Sequence, residues 1–214
     1  MLEYGKFAKY YDLLYAGLDY NKGALGVGAL YSKYNKSGGK DMLDVACGTG
    51  KHISKLYSKF NCFGVDISKD MIVQARKNCS HATFKVGKMQ SFKINKSFDI
   101  ITLLFNSTNH LKNIYELKKT VDNVSKHLKP GGLLVVEMFH DINYFLKNSH
   151  HLRIHDGKDI KIARIGKFSL KNNNHVDVIM EYLISEKGKN IIKAHEKISL
   201  FVITKDKPCL VELI

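Results

Sequence analysis

The apolar positions of this chain change pattern along its length. Residues 4–15 and 20–34 read as two tyrosine-dense helical segments with Gly17 between them, and Ser37-Gly38-Gly39 makes a turn. Residues 42–46 then form a near-continuous apolar run, the pattern of a strand covered on both faces of a parallel sheet. Residues 62–67, 82–86, 98–105 and 133–138 read as further strands. Helix-period stretches lie between them. Ile53, Leu56 and Tyr57 share one face, Met71, Ile72 and Ala75 another, with Ser68 placed as an N-cap. Ile114, Leu117, Val121, Val124 and Leu128 mark a helix over 113–128 that Pro130-Gly131-Gly132 is expected to end. This alternation predicts an α/β fold, a Rossmann-like doubly wound and mostly parallel sheet. Beyond residue 150 the runs 160–170, 176–185 and 190–201 are β-rich and separated by short turns, which predicts an antiparallel meander. The expected division is a helical cap (1–40), a core (41–140) and an antiparallel β region (141–214) for substrate binding or oligomerisation.

The chemistry concentrates in Asp44-Val45-Ala46-Cys47-Gly48-Thr49-Gly50, which follows a strand and opens a helix. Gly48 and Gly50 permit a tight turn and close approach of a ligand. Asp66 closes the second strand, where a carboxylate can accept from ribose hydroxyls. A nicotinamide cofactor is the obvious competitor, but its G-x-G-x-x-G fingerprint needs a third glycine where this chain has Ile53. A ligand with an adenosine and no pyrophosphate fits better, and S-adenosylmethionine (SAM) is one. A glycine turn that binds nothing is the bland alternative.

Other features bound the reading. No apolar stretch approaches membrane-spanning length, and residues 1–20 lack a continuous apolar core, so a soluble cytoplasmic protein is expected. Cys47, Cys62, Cys79 and Cys209 form no C-x-x-C pair, so free thiols are expected and no metal site. Cys47 reads as a small residue tolerated in the loop. Net charge is +14, which raises nucleic acid as a partner. The basic residues are 31 Lys against three Arg, scattered rather than clustered, so a solvated lysine surface is favoured over an RNA interface. Lys118-Lys119 reads as a solvated helix face, and His127 as a satisfied buried histidine.

Three blocks, L-D-V-A-C-G-T-G (43–50), G-V-D-I-S-K-D-M (64–71) and L-K-P-G-G-L-L-V-V-E (128–137), resemble class I SAM-dependent methyltransferases. The resemblance implies that Ala46 and Gly48 flank the methionine moiety, Asp66 holds the ribose and Ile67 packs on the adenine, with Asp44, Cys47, Gly50 and Met71 also among the cofactor-binding residues. It also sets Leu104 and Phe105 beside the sulfonium. Where the family has Gly-Asp-Met after the third strand, this chain has Gly87-Lys88-Met89, so the carboxylate acceptor for the adenine amino group is replaced by Lys88 and backbone contact from Met89 remains.

A narrower likeness lies in Y-D-L-L-Y (11–15), H-D-G-K (155–158) and I-S-L-F (198–201), which are similar to N,N-dimethyltransferases acting on nucleotide-linked amino sugars. It implies a small-molecule amine acceptor and SAM as cofactor. Tyr15 would lie near both SAM and amine, Asn106 to His110 would line the acceptor site, and Phe139 and His140 would face the substrate. Arg164 matches an arginine of that family and is a candidate contact for a nucleotide diphosphate, with a place at the sheet edge as the alternative. His110 is the candidate base, because an amine nucleophile must be neutral and imidazole titrates near neutrality. A surface or capping histidine is its alternative, as a core tyrosine is for Tyr15. An RNA methyltransferase and a SAM-binding protein without turnover are the other readings, and a homodimer through the C-terminal β region is a candidate partnership.

Overall fold

A computed structural model describes residues 7–139, 141–172 and 174–203. The expected features at residues 4–6, His140, Asn173, Cys209 and the stretch 204–214 lie outside the described residues. Two compact units emerge: described residues 18–138, and described residues 7–17 together with 139–203. The N-terminal segment read as one cap is therefore divided between them.

The first unit is the α/β core. Its strands β1 (Asp41–Val45), β2 (Asn61–Asp66), β3 (Thr83–Val86), β4 (Phe98–Leu103) and β5 (Leu128–Val136) are all parallel, in the order β3-β2-β1-β4-β5. Alternate residues of the central strands face opposite sides, as the two-residue period requires. Met42 and Ile100 pack with Ile53, Leu56, Ile72 and Ala75 on one face, while Leu43, Val45, Ile101 and Leu103 pack with Phe92 and Val124 on the other. In chain order, helices α2 (Tyr20–Tyr34), α3 (Ile53–Leu56) and α4 (Lys69–Asn78) supply the first layer, and α5 (Ile114–Ser125) contributes Val124 to the second. Both faces of β1, β2 and β4 are covered, which is why these strands are near-continuous apolar runs. Ser68 caps α4, its Oγ accepting from Met71 N at 3.3 Å, a cap worth about 1 kcal/mol.

One expectation is corrected. Pro130-Gly131-Gly132 does not end α5, which stops at Ser125; it lies inside β5. Strand β5 pairs Phe98 with Leu128 and then Ile100 with Leu133, so the intervening residues bulge outward through Gly131 at φ +73°. The freed Gly131 carbonyl accepts from Lys36 N (2.8 Å) and Ser37 N (3.0 Å).

The second unit holds α1 (Ala8–Leu14), α6 (Ile142–Lys147) and the antiparallel meander β6 (His150–Asp156), β7 (Ile160–Asn172), β8 (His175–Glu186), β9 (Ile192–Phe201). Phe7, Tyr10 and Leu14 from the N-terminal segment and Phe145 from α6 cover one face of that sheet. Phe7 stacks on Tyr182 with ring centroids 4.3 Å apart, and Lys9 and Tyr10 both reach the Glu186 carboxylate. Strand β6 and helix α6 were not expected. Leu152 and Ile154 on β6 face outward and are 59% and 65% exposed, so the strand does not bury the apolar members of its pattern.

At the amino-terminal end of the parallel sheet, Asp99 is fully buried and accepts from Asp41 N (2.9 Å), Ser37 Oγ (2.7 Å) and Lys129 Nζ (2.9 Å). Burial pushes its carboxyl up, but Lys129, Ser37 and the Asp41 N–H outweigh burial and hold it below the ordinary value. Asp99 therefore adds stability at neutral pH that is lost as the medium is acidified through its depressed folded-state value. Gly39 is squeezed against this carboxylate: a Cβ there would sit 2.4 Å from Asp99 Oδ2. Gly39→Ala should cost about 1–3 kcal/mol of stability by this overlap. Gly26→Ala, in the exposed middle of α2 with nothing within 4 Å, should instead stabilise by up to about 1 kcal/mol. Chemical denaturation of the two variants checks both signs.

Candidate functional site

The carboxyl-terminal edge of the parallel sheet carries the glycine loop. Past β1 the backbone turns through Ala46 at φ +59° and Gly48 at φ +54°, and Cys47 N donates to Val65 O at 3.0 Å, stitching the loop to β2. Gly50 is at φ +71°, and a Cβ there would lie 3.1 Å from Ala75 Cβ, so glycine answers both the dihedral and the close approach of α4. A Cβ at Gly48 would meet nothing within 4 Å, which leaves this side of the loop open to a ligand. Ile53, at the position of the missing third glycine, is fully buried in the core, and α3 behind it is one short turn.

Asp66 ties the loop to the next element. Its Oδ2 accepts from Gly48 N and its Oδ1 from Ser68 N, each at 2.8 Å. Burial pushes its carboxyl above the ordinary value against the pull of the Ser68, Gly48 and Ile67 N–H groups. Beneath the loop Asp44 is buried and accepts from Thr102 Oγ1 at 2.7 Å. Desolvation pushes it up to about 7, with the Asp66 charge adding to the shift and Thr102 opposing it. Two buried carboxyls with raised values thus lie at the carboxyl-terminal edge of the sheet, in contrast to the lysine-paired, lowered Asp99 at the other end.

Strand β4 ends in a second unusual corner. Leu104 is buried, while Phe105 and Asn106 take left-handed backbone at φ +55° and +58°. A 3₁₀ turn follows (Ser107–His110), in which Ser107, Thr108 and Asn109 are buried. The hydroxyls of Ser107 and Thr108 have no hydrogen-bond partner among the described residues. His110 is solvent-exposed, and the protein mass around its ring still lowers its pKa, which favours the neutral imidazole. Phe105 N–H donates to Glu137 Oε2 at 3.0 Å.

A methyltransferase-domain family model matches residues 42–132, the stretch that contains this edge. A dTDP-3-amino-3,4,6-trideoxy-α-D-glucopyranose N,N-dimethyltransferase of Streptomyces venezuelae is 31% identical over 189 residues, covering 86% of this chain and 78% of the relative. The chain belongs to the class I SAM-dependent methyltransferases. A dTDP-3-amino-3,6-dideoxy-α-D-glucopyranose N,N-dimethyltransferase of Streptomyces fradiae is 34% identical over 136 residues, 62% of this chain and 53% of that relative. Among solved structures, Streptomyces venezuelae DesVI superposes with a TM-score of 0.82 at 26% identity, covering 96% of this chain and 86% of DesVI.

Within the methyltransferase core, the residues anticipated for SAM are differently disposed. Ile67 offers an apolar side chain that is 65% exposed just past Asp66, whereas Met71 is fully buried. Lys88 is exposed and its carbonyl accepts from Ser91 N (3.0 Å) and Phe92 N (2.8 Å); the Met89 carbonyl accepts from Asn123 Nδ2 at 3.2 Å. Cys47 is buried, and desolvation with the nearby Asp44 and Asp66 charges pushes its thiol well above the ordinary value, which disfavours the thiolate. His127 is satisfied as expected: Nε2 accepts from Ile94 N at 3.2 Å, so Nδ1 is the nitrogen that donates to Asn123 O, at 2.8 Å.

In the second unit Tyr15 and Arg164 meet. Arg164 Nη1 donates to Tyr15 Oη at 3.0 Å, and the Arg153 and Arg164 guanidiniums lie 4.6 and 5.3 Å from the Tyr15 ring centre. Arg164 is not at a sheet edge: it is buried, and its Nε has no partner among the described residues. Burial pulls its pKa down, but Tyr15 and Tyr182 outweigh this and raise it. Tyr182 donates to Glu196 Oε2 at 3.0 Å, and Glu196 is pushed up by burial against the pull of Tyr182 and Arg164. These side chains line a cavity of about 30 Å³ with Phe7, Tyr11 and Leu14. Phe139 stacks on Tyr144 with centroids 5.1 Å apart, and His140 lies outside the described residues. The chain pattern gave no sign of Tyr182, Glu196 or Arg153, whose partnership depends on β-strand register, nor of the Glu137–Phe105 bond.

Proposed function

We propose that the enzyme works in the cytoplasm and transfers the methyl group of SAM to the amine of a nucleotide-linked amino sugar. The observation that carries the acceptor is the 31% identity with an amino-sugar N,N-dimethyltransferase over 78% of that relative's length. A reducing compartment accords with the free, buried Cys47, Cys62 and Cys79. The loop fits the cofactor, because the space at Gly48 is open, Ile67 presents an apolar surface, and Asp66 keeps acceptor capacity beyond its two backbone donors.

In this reading Asp66 accepts from the ribose, Ile67 packs on the adenine, Met89 supplies its backbone, and Ala46 and Gly48 flank the methionine moiety. Leu104 and Phe105 shield the sulfonium from water. When bound, SAM supplies a methyl carbon already activated for displacement by the acceptor amine. The chain's own task is then alignment and proton removal. Tyr15, hydrogen-bonded to Arg164, is assigned to orient the amine, and neutral His110 to take the proton the nitrogen sheds. Asn106, Phe139, His140 and Arg164 are the residues assigned to the acceptor. Incubation with SAM and a dTDP-linked amino sugar should yield product carrying one or two added methyl groups by mass spectrometry, and His110→Ala should lower turnover about a hundredfold or more with SAM affinity intact. Methylation of RNA in place of the sugar, steeply lost with salt, or no turnover with any amine would sink the acceptor assignment.

We further infer that a second copy of the chain covers the outer face of the meander. Leu152, Ile154, Ile165 and Leu183 are each about half to two-thirds exposed on neighbouring strands of that face, an apolar cluster that a second copy would bury. Sedimentation equilibrium should report a dimer that Ile165→Lys with Leu152→Lys dissociates; a monomeric wild-type chain at micromolar concentration refutes this pairing.

A further inference from the structure

Two corners at the carboxyl edge of the sheet hold non-glycine residues in left-handed backbone: Ala46 after β1, and Phe105 with Asn106 after β4. Asparagine tolerates that region because its short amide can satisfy the local backbone; a phenylalanine does not enter it without something to hold it. At the first corner the Asp66 carboxylate supplies the hold by accepting from Gly48 N. At the second the corresponding group is Glu137, the first residue after β5. Its backbone N–H donates to Leu103 O at 2.8 Å, continuing the β4–β5 ladder by one bond, and its carboxylate turns back to accept Phe105 N–H at 3.0 Å. One residue thus binds the chain on both sides of Leu104. The Phe105 ring lies beside His52, with ring centroids 6.4 Å apart, and His52 is itself set edge-on to Tyr20 at 5.0 Å. His52 lies two residues past Gly50 of the glycine loop, so the corner that Glu137 holds is packed toward the end of that loop. The Glu137 charge also acts on the His52 imidazole, raising its pKa against the stronger lowering by burial.

We propose that Glu137 is a positioning residue for methyl transfer, holding Phe105 and Asn106 in left-handed backbone through the Phe105 N–H so that the end of β4 stays set against the glycine loop. Glu137 acts through Phe105 and need not touch either substrate. The inference rests on the reading that Leu104 and Phe105 border the cofactor, and it does not depend on which amine is methylated.

The test is calorimetric SAM binding by the whole chain, with thermal unfolding of each variant recorded in parallel. Glu137→Ala removes a charge-assisted bond and should weaken SAM binding by about tenfold or more. Glu137→Gln keeps an acceptor oxygen in reach of the Phe105 N–H and should bind within about threefold of the wild type. A Phe105→Gly background separates positioning from a general loss of structure, because glycine takes this dihedral unaided. The penalty of Glu137→Ala should there shrink to about twofold or less, measured against Phe105→Gly alone. Wild-type affinity in Glu137→Ala overturns the proposal. So does Glu137→Gln binding as weakly as Glu137→Ala, which would make the charge and not the hydrogen bond responsible. An undiminished penalty in the Phe105→Gly background overturns it equally. If the wild type binds no SAM, the cofactor assignment has failed instead; if it binds SAM but methylates no amino sugar, the acceptor assignment has failed and the Glu137 comparison still decides.

Discussion

Two backbone N–H groups, from Gly48 and Ser68, converge on the carboxylate of Asp66, and the arrangement of the cofactor edge depends on that convergence. It joins the loop after β1 to the start of α4, fixes the left-handed turn at Gly48, and leaves the carboxylate at the end of a buried strand. The cost is electrostatic. Asp66 and Asp44 are desolvated near each other, both are raised, and Asp44 reaches about 7. A raised folded-state value means that these two groups subtract stability as pH climbs from the ordinary carboxylate range toward neutrality. Asp99 and Asp41 at the opposite end of the same sheet have lysine partners and are lowered, so they add stability over the neutral range. The carboxyls at one end of the sheet are paired with lysines, and those at the other are buried without them.

The parts of this architecture that were legible in the sequence are those where one residue type answers one local demand. Gly50 must be glycine because of its dihedral and the nearness of Ala75, and Ser68 must cap because α4 starts after it. The central strands β1, β2 and β4 showed themselves as apolar runs because both faces are covered. What escaped detection depends on partners distant in the chain. Pro130-Gly131-Gly132 looks like a helix stop, yet β4 pairs on both sides of it and turns it into a bulge. Strand β6 shows Leu152 and Ile154 to solvent, so its alternation did not mark a buried face. The helix α6 is too short to show a period. Glu137 reads as the polar end of an apolar strand, and nothing in its neighbourhood points to a backbone N–H more than thirty residues earlier.

The second unit gives the same lesson for chemistry. Tyr15 and Arg164 were singled out separately, by likeness to amino-sugar methyltransferases, and the fold brings them into one hydrogen bond. Tyr182 and Glu196 complete that buried group from β8 and β9, where register alone makes them neighbours. A buried arginine with a carboxylate and two phenols around it is a group whose members depend on one another, since removing one leaves an uncompensated charge or donor. The +14 net charge is otherwise spread over lysines and directs no chemistry at this place.

The proposed site, the loop from Ala46 to Gly50 with Asp66, is assigned to SAM and not to a dinucleotide. Calorimetric titration of ligand-stripped protein with SAM and separately with NAD tests it, with Asp66→Ala measured alongside. The account predicts SAM binding on the order of micromolar, no binding of NAD, and SAM affinity weaker by about tenfold or more in Asp66→Ala. NAD binding in place of SAM, or an Asp66→Ala variant that binds SAM as tightly as the wild type, would contradict it.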